Sequence, residues 1–369
     1  MKKLLEAFKW INLGLLIVNI CPFLTTYNGL QWKISQRKAH YWAIFFINAI
    51  ATGVEGAAGL FGYLLVEEIM QKWNVQTALV FISLTIPIMI GQVNILVIFA
   101  QGEEHATVFR MLAKFEDRLS DILNITVDFT LWQRKLYFEF FMAFIYWIMI
   151  FYLKGHYYTY DSIWIFIYHI LLGLIDLNFL LIVCHIRSTV RCLRIFQKQL
   201  LLTSKNLSHY RDFRALNILT RELMEIKRYV DKSFGPLLLV NIAYDFVALV
   251  FQFYFYYHFL DFRYSDVYKF LPQFAQIFKI IGFSYKAVAF VIEMEAFYKE
   301  VKELKDNLRK GSTIIPHGYF YQILHEKHWE YFTASKFFDL NYYMVNNFFA
   351  GCVTYIVIML QLDLLDYST

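Results

Sequence analysis

The sequence predicts an all-α polytopic membrane protein with seven transmembrane helices, a cytosolic N-terminus, an extracellular C-terminus and a cytosolic helical anchor region. Three observations point to this class. Hydrophobic residues make up 59% and aromatic residues 20% of the 369 positions, well above what a soluble domain carries. Seven apolar windows each reach roughly the 20 residues that, at 1.5 Å apiece, cross a hydrocarbon core. The connections between those windows differ sharply in Lys and Arg content from one side to the other.

The chain divides accordingly. A cytosolic or interfacial segment occupies 1–40, helices one to four 41–185, a cytosolic anchor segment 186–236, helices five and six 237–292, a second anchor segment 293–341, and the last helix with a short extracellular tail 342–369. At the start, Lys2, Lys3 and Lys9 precede an apolar run over 10–23, which imitates a signal peptide. That run contains Asn12 and Asn19, ends in Cys21-Pro22 instead of small residues, and is followed by Lys33, Arg37 and Lys38. An uncleaved interfacial or partly inserted helix is therefore expected. The spans follow at 41–66, 75–100, 132–153, 163–185, 237–260, 270–292 and 342–362. Lipid and buried neighbours both require a helix apolar on all sides, so length and flanks define these spans better than period does.

Orientation comes from the connections. The segments before span one, after span two, between spans four and five and between spans six and seven hold 29 Lys and Arg when Arg134 and Lys135 at the start of span three are included, whereas the other side holds only Lys72, Lys154, Arg263 and Lys269. The basic side faces the cytosol. The net charge of +5 is thus a property of the cytosolic surface and says nothing about what binds outside. Two glycosylation sequons, at Asn124 and Asn206, fall in loops assigned to the cytosol and are read as chance matches.

The anchor segments carry helical patterns of their own. Leu216, Leu219, Leu223, Ile226 and Val230 follow a 3-4-3-4 spacing, with Arg221, Glu225, Lys227 and Arg228 off that seam. Phe297, Val301, Leu304 and Leu308 repeat it after span six, with Glu295 and Lys299 four apart, until Gly311-Ser312-Thr313 and Pro316 stop the helix. Membrane helices are expected to continue into the cytosol and pack with the foot of the last helix.

Charges inside the spans need a reason, because isolated ones are expensive there. Lys279 and Lys286 lie seven apart on nearly one face of span six. Counted from the outer ends, Lys286, Asp176 and Asp245 are each about 15 residues deep, or roughly 23 Å, so an ion-paired cluster serving structure or gating is expected, with a ligand contact as the alternative. Lys279 lies higher, near His169, where it would border a pocket. The outer halves are also rich in aromatics with polar tips, among them Tyr146, Trp164, Tyr168 and Tyr254, with Gln252 beside the last. These form either an interfacial belt or the wall of a small-molecule pocket.

The last span holds no Lys, Arg, Asp or Glu from 342 to 362, yet it contains Asn346, Asn347, Gly351, Thr354 and Gln361. Thr354, Ile358, Gln361 and Leu362 stand at i, i+4, i+7 and i+8 and share one helix face. A membrane helix with such a polar stripe faces protein or water. Thr354-Tyr355, five apolar residues and Gln361 resemble the C-terminal signature of insect gustatory receptors, as does the approach Phe338-Asp339-Leu340. The signature usually closes on Phe, where this chain has Leu362.

That resemblance implies a tastant-gated, poorly selective cation channel of chemosensory neurons, in the plasma membrane of their dendrites. Its pore would be built from the last helices of four subunits. Carried onto the matching motif, the pore and gate residues are Ile358, Gln361 and Leu362, which the helix face groups with Thr354. Asp363 and Asp366 would ring the outer mouth and concentrate cations. The resemblance further implies an anchor through which tetramers form, as homotetramers or with other gustatory receptor subunits. It places the tastant, a small molecule, in an outward-facing cavity among the helices before the last. Here the candidates are Tyr146, Trp164, Tyr168, His169, Gln252, Tyr254 and Lys279.

Other function classes fare poorly. His325-Glu-Lys-His328 lacks the i, i+4 spacing of a zinc-protease helix, and Cys21, Cys184, Cys192 and Cys352 are scattered, so neither a metal site nor a disulfide framework is expected. No phosphate-binding Gly loop, nucleophile elbow or nucleic-acid module occurs, and neither catalysis, a cofactor nor a nucleic-acid partner is expected. A secondary transporter is the alternative, since it too would use buried charges such as Lys286 and Asp176. It should show an internal repeat and more spans, and the sequence has neither.

Overall fold

The fold comes from a computed structural model, which describes residues 3–17, 24–27, 32–35, 46, 53, 75–155, 163–205, 210–261, 270–311 and 331–366. The expected first span at 41–66, apart from Phe46 and Gly53, lies outside the described residues, as do Cys21, Asn206 and the stretch from His325 to His328.

The N-terminal helix α1 (Leu4–Ile17) is amphipathic: Leu4, Phe8, Ile11 and Leu15, one turn apart in succession, are all buried. A short antiparallel hairpin follows, β1 (Leu24–Tyr27) and β2 (Trp32–Ser35), in register Leu24 with Ser35 and Tyr27 with Trp32. It is a departure from the purely helical expectation. The remaining described helices are α2 (Val75–Ala100), α3 (Gly102–Leu123), α4 (Thr130–Gly155), α5 (Ile163–Lys205), α6 (Tyr210–Asp261), α7 (Phe270–Gly311) and α8 (Tyr342–Asp366). Asn124 ends α3 at φ 52, a left-handed conformation that Asn tolerates better than most residues.

Helices α5, α6 and α7 run 43, 52 and 42 residues. At 1.5 Å per residue each is about twice the thickness of a hydrocarbon core, so each extends well beyond it. The buried side chains sort to match. One cluster joins α1, α3 and the cytosolic lengths of α5, α6 and α7, with Phe8, Phe109, Phe115, Phe196, Leu223, Phe234 and Leu304 at its centre. Phe8 meets Phe109 edge-on at 4.9 Å and Trp132 of α4 at 4.7 Å, so α1 is integral to this core. The second cluster joins α5, α6, α7 and α8 within the spans, through Phe179, Tyr244, Tyr254, Phe283, Phe348 and Cys352.

Electrostatics fix the helices where they leave the spans. On α5, Arg187, Arg191 and Arg194 face Glu139 of α4 and Glu293 and Glu300 of α7. Arg191 bonds both Glu139 and Glu293, while Arg194 reaches Glu293 at 3.2 Å and Glu300 at 2.8 Å. Burial alone would raise the Glu293 carboxyl, but the Arg191 hydrogen bond and the surrounding guanidiniums bring it below its ordinary range. At the N-terminus of α1, the Leu4 amide donates to Glu116 at 3.1 Å and Lys3 pairs with Asp117 at 3.0 Å, carboxylates placed where a helix start favours negative charge. Burial nonetheless raises Glu116 to about 7.

The 331–340 segment forms the foot of α8. Ser335 (φ 53) and Lys336 (φ 63) turn the chain, Thr333 and Asp339 bridge, and Leu340 donates to the Phe332 carbonyl at 2.8 Å. Asn341 Oδ1 then accepts from the Met344 amide at 2.9 Å as a helix cap. Lys227, off the apolar seam of α6, is buried: it donates to Asp231 at 2.6 Å and to the Tyr331 carbonyl at 3.0 Å, because the foot of α8 covers that side of α6. Glu295, expected to pair with Lys299, accepts from the Tyr342 amide at 3.2 Å and so ties α7 to the first turn of α8.

Candidate functional site

Two rungs of charge cross the interior of the spans. On α7, Lys279 and Lys286 lie two turns apart, and each meets a carboxylate on a different helix. Lys286 donates to Asp245 of α6, with both side chains buried, and its ammonium lies 4.4 Å from the Phe283 ring centroid and 5.7 Å from that of Tyr244. Lys279 lies 3.5 Å from Asp176 of α5. The Tyr244 hydroxyl donates to Asp176 and its ring stacks on Phe179 at 4.1 Å, so one tyrosine links the rungs. Counting from helix ends had grouped Asp176 with Lys286. The structure pairs Lys286 with Asp245 as grouped, but gives Asp176 to Lys279 and links it to the other rung through Tyr244, because equal counts mark equal depth only for helices that start level. Buried charges so arranged are paired and wrapped in aromatic rings, which is how a low-dielectric interior tolerates them.

The other expected pocket residues are placed unevenly. Tyr146 of α4 donates to the Phe278 carbonyl of α7 at 3.1 Å, and a Cβ at Gly282 would lie 1.9 Å from its hydroxyl, so α4 and α7 approach closely only because position 282 has no side chain. Tyr254 is buried in the span cluster beside Tyr244 and Phe251, and Gln252 presents a buried amide oxygen without a hydrogen bond. Trp164, Tyr168 and His169 belong to the first turns of α5, and their side chains lie outside the described residues.

Helix α8 is asymmetric. Val345, Phe348, Cys352 and Met359 are buried, whereas Thr354, Ile358, Gln361 and Leu362 on the far side are exposed. The apolar window of Arg214–Tyr254 is 61% buried within the chain, that of Tyr342–Leu362 only 17%. The Thr354 hydroxyl donates back to the Ala350 carbonyl at 2.9 Å. Asp363 and Asp366 continue the helix, with side chains outside the described residues.

What connects rungs and last helix is Phe246, which sequence reasoning passed over. It follows Asp245 on α6 and packs edge-on against Phe348 at 5.7 Å and Tyr355 at 5.6 Å. A Cβ on Gly351 would stand 3.1 Å from its ring. Asp245 and Phe246 thus turn one step of α6 toward the ion pair and the next toward α8. The adjacent acid and aromatic, with the lone Gly in α8, were the available signal.

The comparisons with known proteins agree with this architecture. A family described as 7tm Chemosensory receptor matches residues 13–366. The chain is similar in fold to the insect olfactory receptor OR5 from Machilis hrabei, with a TM-score of 0.64 at 12% identity over 96% of this chain and 97% of that one. It is also similar to the same receptor in complex with eugenol, with a TM-score of 0.62 at 13% identity over 96% and 97% of the two chains. No curated protein matches the sequence.

Proposed function

The chain belongs to the 7tm chemosensory receptor family, a family of multi-pass membrane receptors and not of enzymes, and on that premise we propose that it is a gustatory receptor working as a tastant-gated, poorly selective cation channel. Four subunits contribute α8 to a central pore. The single observation that carries this is the exposed face of α8: only 17% of its apolar window is buried by its own chain, and with Thr354 and Gln361 in line on the exposed side it needs other copies or water to face. Ile358 and Leu362 form an apolar constriction that closes by dewetting, Gln361 offers neutral amide dipoles that select weakly among cations, and Asp363 and Asp366 stand at the outer mouth. The gustatory assignment rests on Thr354-Tyr355 and Gln361 in the closing motif.

The tastant occupies the outer space between α4, α5, α6 and α7, bounded by Tyr146, Trp164, Tyr168, His169, Gln252, Tyr254 and Lys279. Eugenol bound to a protein of the same fold supports a small-molecule site. Ligand there perturbs the Lys279–Asp176 rung, and the Asp245–Phe246 step passes that change to α8. Whether the assembly is a homotetramer or includes other gustatory subunits, its location is the plasma membrane of chemosensory neurons.

The test is current through cells expressing the chain, challenged with sugars and bitter compounds. Alanine at Tyr146, Gln252 or Lys279 should shift the dose-response at unchanged surface expression, and Leu362→Ser should raise current without ligand. Gln361→Glu should increase cation selectivity, above all for divalents. Unchanged basal current and permeability ratios in the two α8 variants, at normal expression, would remove α8 from the pore.

A further inference from the structure

We propose that the foot of α4 and the outer face of α1 form a docking surface for anionic phospholipid of the cytosolic leaflet, a site beyond the proposed channel activity. On α4, Leu131, Arg134, Lys135, Phe138, Phe141 and Met142 recur at helical spacing and are all exposed. The apolar stripe continues outward through Ile148, Met149 and Tyr152, which marks it as the lipid-facing side of the span. Arg134 and Lys135 therefore stand in the first turn of span three, at its inner end, on the side that the Lys and Arg distribution assigns to the cytosol, where long basic side chains reach headgroup phosphates.

Helix α1 completes the surface. It is held against α4 by Gln133, whose side-chain amide donates to the Ala7 carbonyl at 3.2 Å, and by Phe8 on Trp132. Its far face exposes Trp10 (62%) and Leu13, with the Lys9 ammonium 5.1 Å from the Trp10 ring. A Trp and a Leu beside three cations have the composition of an interfacial anchor.

The charge balance selects the partner. Among the described residues neither Arg134 nor Lys135 has an ion-pair partner. The neighbouring acids are otherwise engaged or outnumbered: Asp128 accepts from the Thr130 amide and hydroxyl, Glu139 is bound by Arg191, and Glu6 remains half-buried on α1. A surface of exposed apolar rings next to Arg134 and Lys135 fits an acyl chain with an anionic headgroup better than it fits a free anion, which would leave Trp10, Leu131 and Phe138 in water.

The test uses the detergent-purified full chain and its thermal unfolding midpoint, titrated with mixed micelles of phosphatidylcholine or of phosphatidylserine. A ligand of the native state raises stability, and with it the midpoint, as RT ln(1 + [L]/Kd). Phosphatidylserine should raise it at lower concentration than phosphatidylcholine. At about fivefold per cation, Arg134→Gln with Lys135→Gln should weaken the apparent affinity by about 25-fold, while Lys302→Gln on α7 should leave it unchanged. A salt series on the unaltered chain gives an independent answer, since the phosphatidylserine response must fall as screening increases. Equal responses to the two lipids, a response indifferent to salt or to the double substitution, an equal loss in Lys302→Gln, or full reproduction by the soluble headgroup glycerophosphoserine would each overturn the proposal.

Discussion

Two residues test the energetics most sharply. Lys286 and Asp245 are each buried and satisfy one another, so truncating one strands the other in a low-dielectric interior. Lys286→Met is expected to destabilise the chain by about 3–5 kcal/mol, whereas Lys286→Met with Asp245→Leu should recover most of it, since paired buried charges gain little over apolar packing. Thermal unfolding of the two variants gives the answer, and equal loss in both would mean the pair itself is stabilising. Glu116 makes a pH-dependent prediction. Burial raises its carboxyl from 4.5 to about 7, so the folded chain holds a proton that the unfolded chain releases. That contribution is complete below 4.5 and is lost as pH rises through about 7. Unfolding midpoints should therefore fall across this window, and Glu116→Gln should flatten the fall. A slope unchanged in Glu116→Gln would assign the effect to another group.

At the scale of helices and turns, two glycines separate packing from propensity. Ala is favoured over Gly inside a helix by about 1 kcal/mol. At Gly235 of α6 the new Cβ would lie 2.9 Å from the Ser335 amide nitrogen, backbone that is itself locked in the turn below α8, so overpacking of about 1–3 kcal/mol wins. Gly235→Ala should lower the unfolding midpoint and disturb gating. At Gly351 the obstacle is a Phe246 ring edge at 3.1 Å, which can swing aside, so Gly351→Ala should be nearly neutral in stability. Equal destabilisation by both would show that the Gly235 contact is not special. These elements also show what could be read in advance. The α6 seam from Leu216 to Val230 was plain in the sequence because a period survives in any chain whose one face is buried. The burial of Lys227 was not legible for the same reason: periodicity reports the face of one helix, and nothing in it announces that the 331–340 segment folds over the opposite side. The hairpin was missed although Asn28-Gly29 sits between its strands, a turn signal overshadowed by the apolar run before it. The Lys286–Asp245 pair was legible from matching depth, but Lys279 as the partner of Asp176 was not, because helix stagger is a tertiary quantity.

Across the whole molecule, burial divides the chain into a cytosolic core that includes α1 and a thinner span core that leaves α8 largely uncovered. A monomer arranged this way exposes the Thr354 and Gln361 stripe of α8 to lipid, a state that closed symmetry around α8 relieves. Images of the purified full chain test this most directly. The account predicts a four-fold particle with α8 nearest the axis and Ile358, Gln361 and Leu362 facing it; a monomer, or a tetramer with α8 on its periphery, would contradict it.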